Sequence, residues 1–416
     1  MAGGASGISH RLAVSPHPMS RVFAWALYDL ANTFFAVAMI SFYFPLWLVE
    51  DRGAKELWFS VALGVSMAAV ALIMPLCGAL SDLAGRRMPY LRWTTYGCAI
   101  ATLLIGMTSH VPLALGLFAF ANMCYQLGTV FYDALLWSVA PKDRLGQASG
   151  IGAAFGYLGA MMGLLLLWPF VKAGGYHAAF APSAAFFLLF ALPSFLLIRE
   201  QGGTPSRVSW SALLRAAALR LAISLRSART IPGLWRYCWA VFFSLSAINT
   251  VLVFMGVYAT KVMGLTAQRL IQFFVVTQAC SIVGSLVFAW VIGRWGAKRT
   301  LIAVWLGWLG ALAAAATVSS MSWLWIAGPV MGLCLGATWS TSRVMLLQLA
   351  PKDQLAEMFG LVGLFNRAST IVGPLLWGLI VWDPARYRHA VWMLVGFLAI
   401  GIWLLRRVPQ PATVSS

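Results

Sequence analysis

The sequence predicts an all-α polytopic membrane protein whose twelve transmembrane helices form two pseudo-symmetric six-helix bundles. Three observations favour this fold class. Of the 416 residues, 61% are hydrophobic and only 10% are charged. Apolar stretches of roughly 18 or more residues, long enough to span a bilayer as helices, recur along the chain, and one segment recurs in the second half. Membrane-spanning strands are excluded because the stretches are too long and lack the apolar/polar alternation of a barrel.

The predicted spans follow from reading the apolar stretches against proline, glycine and charged residues. They lie near 22–49, 57–80, 91–109, 112–139, 147–172, 177–198, 232–260, 266–292, 300–318, 321–349, 355–381 and 388–405. The chain then divides into an N-terminal tail (1–21), a first bundle (22–198), a basic linker (199–231), a second bundle (232–405) and a C-terminal tail (406–416).

An internal repeat relates the two bundles. "APKDRLGQASGIGAAFGYLGAMMG" begins at Ala140, and "APKDQLAEMFGLVGLFNRASTIVG" begins at Ala350. The shared "APKD" and the glycine pair Gly163 and Gly373 fall at equivalent places in the two halves. Two similar six-helix bundles joined by a loop are typical of transporters with a central binding site.

The net charge of +18 follows the predicted loops. Most lysines and arginines fall on the side that carries both termini, so the positive-inside rule predicts cytoplasmic termini in the cell inner membrane. This distribution is expected of any inner-membrane protein and predicts no nucleic-acid partner. Within the linker, "SWSALLRAAALRLAISLR" is typical of a basic amphipathic helix on the lipid surface, serving as a tether or as a regulatory docking site.

The sequence lacks the motifs of several functional classes of protein. All six cysteines lie in apolar stretches without a C-x-x-C spacing, which predicts neither disulfides nor a metal site. No Walker A motif is present. The five histidines are scattered over tails and loops rather than clustered with a nucleophile. We therefore expect no cofactor, no metal and no enzymatic activity.

A loop motif between the second and third spans resembles that of the major facilitator superfamily. The stretch "GALSDLAGRR" carries its elements, which are Gly78, Asp82, Gly85, Arg86 and Arg87. The resemblance implies the major facilitator fold, a monomer, and a conformational lock made by Asp82 and Arg86. In the second half the motif is degraded, because Gly293 stands where an acid would be.

Within that superfamily, the chain resembles the "unknown major facilitator" group, which includes autophagy-related vacuolar amino-acid effluxers. The matching stretches are "WALYDLANTFF", "YQLGTVFYDALL", "SGIGAAFGYLG" and "FGLVGLFNRASTIVGPLLWG". One departure is Asp133, at a place where the family is associated with asparagine. The resemblance implies export of amino acids or similar small solutes.

Four ionisable residues lie inside predicted spans: Asp29, Asp133, Arg343 and Arg367. A charge near the bilayer centre costs several kcal/mol, so each needs a partner or a water-filled cavity. We expect Asp29 to face the central pathway, with Tyr28 and Asn32 beside it on the helix. There it is either a proton-coupling carboxylate or permanently ion-paired.

Asp133 and Arg343 occupy equivalent positions of the repeat, 210 residues apart, in the fourth and tenth spans. Symmetry would place these opposite charges across the pseudo-two-fold axis, near the cytoplasmic end. They are candidates for a gate pair that is formed in the outward-facing state and broken in the inward-facing one. Such a pair biases a conformational equilibrium more than it adds stability.

Arg367, beside Asn366 in the eleventh span, could hold a substrate carboxylate. The alternative is an ion pair with Asp29 or Asp133. Tyr132 and Tyr157 are further candidates for contact with the solute. The wider set of candidate cavity-lining residues comprises Trp25, Tyr125, Gln126, Trp239, Asn249, Gln278, Trp339 and Ser342.

Together these features predict a secondary active transporter that works by alternating access and exports amino acids or a related small organic solute, coupled to protons. A drug or lipid exporter is one alternative, although the fifth span lacks the Gly-Pro pair usual in drug/proton antiporters of the superfamily. A solute sensor that binds without transporting is another. The expected partners are the small-molecule substrate, protons and the lipid bilayer.

Overall fold

The computed structural model describes residues 19–84, 86–139, 145–198, 200, 229–317, 321–350 and 355–409. Within these ranges the regular structure is helical, in twelve long segments, as predicted. They are α1 (Met19–Asp51), α2 (Glu56–Ala84), α3 (Met88–Ile105), α4 (Val111–Val139), α5 (Leu145–Gly174), α6 (Phe180–Leu197), α7 (Leu234–Lys261), α8 (Ala267–Trp295), α9 (Ala297–Thr317), α10 (Met321–Leu349), α11 (Leu355–Ile380) and α12 (Tyr387–Arg406). The predicted linker helix lies almost entirely outside the described residues.

Eleven of these segments are long and apolar enough to cross a membrane. The remaining helix, α3, carries a charged residue, Arg92, on an 18-residue segment. The guanidinium of Arg92 donates a hydrogen bond to the backbone carbonyl of Phe195 on α6. The Arg92 side chain is therefore hydrogen-bonded to α6, a neighbouring helix of the same bundle.

Helix α1 is interrupted where the sequence predicted one continuous span. Two π-helical stretches, Ala36–Ser41 and Trp47–Asp51, flank the short α-helical turn Tyr43–Leu46. Phe42, at the break, has φ −136° and ψ −78°. The cause is Pro45, which lacks the N–H that would bond to the carbonyl four residues earlier and whose ring crowds that turn.

Glycines allow the closest helix contacts, and the repeat places them equivalently. A Cβ at Gly163 of α5 would lie 3.1 Å from the carbonyl oxygen of Phe34 on α1. At the matching residue Gly373 of α11, a Cβ would overlap the carbonyl of Ser246 on α7. The corresponding helix pairs of the two bundles, α1–α5 and α7–α11, therefore pack backbone to backbone.

The two bundles meet at one side of the molecule. We call the side that carries Arg86, Arg294 and Arg407 the basic side and the other the opposite side. At the opposite side, α1 and α7 are joined by the pair Glu50–Lys261 at 3.5 Å.

Further contacts at the opposite side join α2 to the second bundle. The hydroxyl of Ser60 donates to the carbonyl of Pro374 on α11 at 2.7 Å, and the Tyr387 hydroxyl bonds to the carboxylate of Glu56. Toward the basic side, Asp133 of α4 and Arg343 of α10 are both exposed and do not pair with each other, so the described contacts close the opposite side and leave the basic side open.

Candidate central cavity

A cavity of about 670 Å³ lies between the two bundles. Helices α1, α2, α4 and α5 line it from the first bundle, and α7, α10 and α11 line it from the second. The lining residues are Asp29, Thr33, Ile40, Leu63, Met67, Tyr125, Gln126, Thr129, Ala153, Gly156, Tyr157, Asn249, Trp339, Gly363, Asn366, Arg367 and Thr370. The volume is that of a site for a small organic molecule.

Asp29 presents its carboxylate to the cavity from α1. The side chain lies against Gly156 of α5, where an added Cβ would be 3.1 Å from the Asp29 Oδ2 atom. Glycine at 156 thus lets the carboxylate fit between the two helices. Among the described residues, no lysine, arginine or histidine lies within ion-pair distance of it, so neither Arg367 nor Arg343 neutralises Asp29 directly.

Arg367 faces the same cavity from α11 in the other bundle. Its Nη1 makes a long hydrogen bond of 3.4 Å to the carbonyl of Gly363, one turn earlier in the helix. Its Nε is buried without a hydrogen-bond partner. No described carboxylate lies within ion-pair distance, so most of the five guanidinium donors are available to an anion.

An amide network fixes the helix that carries Arg367. The Asn249 side chain on α7 donates toward the Asn366 amide oxygen at 3.3 Å and toward the hydroxyls of Ser369 and Thr370, both at 3.1 Å. These bonds hold α7 against the cavity face of α11. They leave Asn366 at the cavity surface beside Arg367.

Tyr28 and Tyr132 lie behind the cavity wall, inside the first bundle. The Tyr132 ring stacks on Trp25 at 4.6 Å and on Tyr28 at 5.1 Å. The Tyr28 hydroxyl shares a 2.7 Å hydrogen bond with the Thr95 hydroxyl, whereas the buried Tyr132 hydroxyl has no partner. Asn32 is also buried, and none of these side chains lines the cavity.

The wider set of candidate lining residues divides in the same way. Tyr125, Gln126, Tyr157, Asn249 and Trp339 line the cavity. Trp25, Trp239, Gln278 and Ser342 do not.

The sequence reasoning missed three lining threonines, Thr33, Thr129 and Thr370. Each lies three or four residues from Asp29, Asp133 or Arg367, and therefore on the same helix face as that charge. This spacing was the signal that could have found them.

Asp133 on α4 and Arg343 on α10 are exposed at the basic side. They do not form an ion pair in this open arrangement. Asp133 is nevertheless within electrostatic range of both Arg343 and Arg367. The acid therefore lies opposite two cations of the other bundle.

The loop motif is only partly described. Gly78 lies within α2, the Asp82 side chain and Gly85 lie outside the described residues, and Arg86 is exposed. The Arg87 guanidinium donates to the carbonyl of Ala134 on α4 at 2.9 Å. The loop is thus attached to the helix that carries Asp133.

In the described part of the chain, no three acidic, histidine or cysteine side chains are placed so that they could hold a metal ion. The cavity itself contributes one carboxylate, hydroxyls, amides and one guanidinium. This set suits a polar or charged organic solute.

Comparison with known proteins gives a family model and many similar chains, of which three are described. The model described as "Vacuole effluxer Atg22 like" matches residues 142–413. An uncharacterized MFS-type transporter, YxiO, from Bacillus subtilis is 22% identical and covers 93% of this chain and 94% of its own length. Autophagy-related protein 22 from Kluyveromyces lactis is also 22% identical, over 86% of this chain and 79% of its own. The nucleoside transporter NupG has a similar structure, with a TM-score of 0.73, 14% identity and coverage of 93% of this chain and 99% of its own.

Proposed function

Because the chain belongs to the Atg22-like vacuole effluxer family, a family of the major facilitator fold, we propose that it moves amino acids or a related small organic solute through the central cavity by alternating access. The opening toward the basic side is one of the two states that this cycle requires. The other state would open the opposite side and bring α4 and α10 together.

One observation carries the proposal. A carboxylate from the first bundle, Asp29, and a guanidinium from the second, Arg367, face one cavity, and neither has an ion partner among the described residues. An amino acid bears both complementary charges. Arg367 would bind its carboxylate through charge-assisted hydrogen bonds, for which the planar guanidinium is suited.

We propose that Asp29 couples transport to protons. Its carboxylate lies in an apolar span, where an unpaired charge is costly. It is neutralised by a proton or by the ammonium group of the solute. Exchange between the two would link solute movement to proton movement.

The orientation and direction are also part of the proposal. The excess of arginine and lysine on the basic side favours a cytoplasmic location for that side in the inner membrane. The family suggests export, and we expect a monomer to suffice because the cavity lies within one chain.

The test measures binding of solutes to the purified protein and their transport in proteoliposomes. Thermal-shift measurements on purified protein would screen amino acids, dipeptides and small organic acids at two pH values, with hits repeated in Arg367→Ala, Asp29→Asn and Arg343→Ala. Arg343→Ala is the matched control because Arg343 lies outside the cavity wall. We expect Arg367→Ala to weaken binding of a carboxylate ligand at least tenfold, about the effect of losing a charged hydrogen bond, while Arg343→Ala retains it.

Other outcomes would favour the alternatives. Stabilisation only by apolar amphiphiles, unchanged in Arg367→Ala, would indicate a drug or lipid exporter. Tight binding of a solute that proteoliposomes never transport would indicate a sensor built on a transporter fold.

A further inference from the structure

Four arginines lie at the basic-side ends of α8, α9 and α12. Arg294 closes α8, Arg299 lies in the first turn of α9, and Arg406 and Arg407 close α12; all four are exposed. We call these four residues the arginine rim. Two further cations bring the helix ends together.

Lys298 and Arg236 hold the end of α12 in place. The ammonium of Lys298 donates to the carbonyls of Arg406 at 2.9 Å and Val408 at 2.5 Å. Arg236 at the start of α7 donates to the carbonyl of Arg407 at 3.2 Å. These cations satisfy the last carbonyls of the helix, so the rim is a defined arrangement rather than a set of unrelated side chains.

Among the described residues, the arginine rim has no anionic partner. None of the 11 Asp and Glu residues lies between 201 and 352 or beyond Asp383. Gly293 stands where the equivalent loop of the first bundle has Asp82. Among the described residues, no carboxylate forms an ion pair with any of the four arginines.

The opposite side of the same bundle differs. There, Lys261 pairs with Glu50 at 3.5 Å and Arg386 pairs with Asp383 at 3.3 Å. Two cations at that side thus have carboxylate partners, whereas the four arginines of the rim have none among the described residues. A cluster of exposed arginines without acids attracts an external anion.

The side of the rim that adjoins the membrane identifies the kind of anion. Arg294 lies over the ring of Trp290, one turn earlier in α8, and Arg407 lies over the ring of Trp403, one turn earlier in α12, each at 3.9 Å. Both tryptophans are exposed, at 60% and 51%. In the most apolar 18-residue stretch of α8, only 11% is buried inside the protein. Guanidinium groups thus stand directly above indole rings at a lipid-facing surface, the level at which headgroups lie.

We propose that the arginine rim binds the headgroup of an anionic phospholipid, with the acyl chains lying along the exposed faces of α8 and α12. The arginines contact the phosphate through charge-assisted hydrogen bonds. Trp290 and Trp403 contact the glycerol and upper acyl region. Basic sites between helix ends on the cytoplasmic side are a recognised location for such lipids, and a free phosphate would leave the two exposed indoles without a role.

The test uses the full-length protein purified in a neutral detergent. Phosphatidylglycerol, cardiolipin, phosphatidylcholine and inorganic phosphate are titrated separately, with thermal shift and native mass spectrometry as readouts. The test variant is Arg294→Gln/Arg407→Gln. The control is Arg52→Gln/Lys172→Gln, which removes two exposed cations at the opposite side, including Arg52 over the Trp47 ring at 5.3 Å. Arg294→Lys/Arg407→Lys retains the charge.

Phosphatidylglycerol and cardiolipin are expected to stabilise the wild type and remain bound, whereas phosphatidylcholine and phosphate do not. The glutamine test variant should bind anionic lipid about 30-fold more weakly, the effect of two membrane-proximal charges. The lysine variant and the control should retain most of the affinity. Equal binding by the glutamine variant, an equal loss in the control, or full stabilisation by inorganic phosphate alone would overturn the proposal. Unchanged melting of the lipid-free variants shows that the fold is intact.

Discussion

At the scale of single residues, the sequence locates the charged residues of the cavity but not the aromatic residues that lie behind its wall. Asp29 and Arg367 are identified by their positions in apolar spans, because a charge inside such a span must reach a cavity or a partner. The sequence does not show whether Trp25, Tyr28 and Tyr132 line the cavity, because an aromatic side chain is equally stable in a packed core or at a cavity wall. Their ring stacking and the Tyr28–Thr95 hydrogen bond place them inside the bundle, and these contacts depend on helix rotations that hydropathy does not specify.

The two stacked tyrosines should respond differently to loss of the hydroxyl. Tyr28→Phe removes a buried 2.7 Å hydrogen bond and leaves Thr95 with one partner fewer, so we expect a loss of about 1 kcal/mol in unfolding free energy. Tyr132→Phe removes a buried hydroxyl without a partner and should leave stability unchanged or raised. Denaturant unfolding in detergent measures both. A comparable loss in Tyr132→Phe would show that its hydroxyl is bonded in solution.

Gly159 should not tolerate a methyl group. A Cβ there would overlap the backbone of Leu30 on α1, so Gly159→Ala should force α5 away from α1 and cost about 1–3 kcal/mol. Gly116→Ala on α4 is the control, because nothing lies within 4 Å of the added Cβ and alanine favours helix. Melting temperatures of the two variants provide the comparison, and equal melting would mean that α1 and α5 do not pack backbone to backbone at Gly159.

At the scale of helices, the sequence located every span because burial in a bilayer requires a long apolar run. Observed and predicted boundaries differ by at most four residues. The sequence does not predict the break in α1, since Pro45 lies within one continuous apolar run. Proline inside a membrane helix can give a kink, a π-helical stretch or a 3₁₀ turn, and neighbouring helices decide which one forms.

The contact between α1 and α7 should stabilise the arrangement in which the opposite side is closed. Glu50 accepts a 2.8 Å hydrogen bond from the Thr260 hydroxyl and pairs with Lys261. Glu50→Gln should increase the population that is open at the opposite side by about twofold to fivefold, the effect of a partly exposed ion pair.

Spin labels at residues 172 and 269, on the opposite-side ends of α5 and α8, would report that opening as a longer distance in pulsed electron resonance. Asp383→Asn is the control. It breaks the Arg386–Asp383 pair, which lies within one bundle, and should leave the distance distribution unchanged. Equal shifts in both variants would indicate a general effect of charge rather than a contact between bundles.

At the scale of the whole molecule, the repeat predicted two bundles but could not predict which side is closed. One sequence must stabilise both arrangements, so the contacts of each state are encoded together. Asp133 and Arg343 illustrate this. Both are exposed and unpaired in the arrangement open to the basic side, yet they lie at equivalent positions of α4 and α10, the helices that would approach each other when that side closes.

Charge exchange between these two residues tests whether they form a gate. Asp133→Arg and Arg343→Asp alone should each reduce transport about 5- to 150-fold, the usual range of a coupling free energy, because like charges would then oppose closure of the basic side. The double variant Asp133→Arg/Arg343→Asp restores opposite charges and should recover much of the activity in proteoliposomes.

The second arginine within range of Asp133 supplies the control for that exchange. Asp133→Arg/Arg367→Asp also restores opposite charges, but it removes the guanidinium proposed to hold the solute, so it should remain inactive. Recovery in this variant would mean that Asp133 pairs with Arg367 instead. Failure of Asp133→Arg/Arg343→Asp to recover, with all variants folded, would show that the two residues do not meet in the transport cycle. Recovery of the Asp133/Arg343 exchange alone would assign closure of the basic side to α4 and α10, and leave Arg367 to the solute.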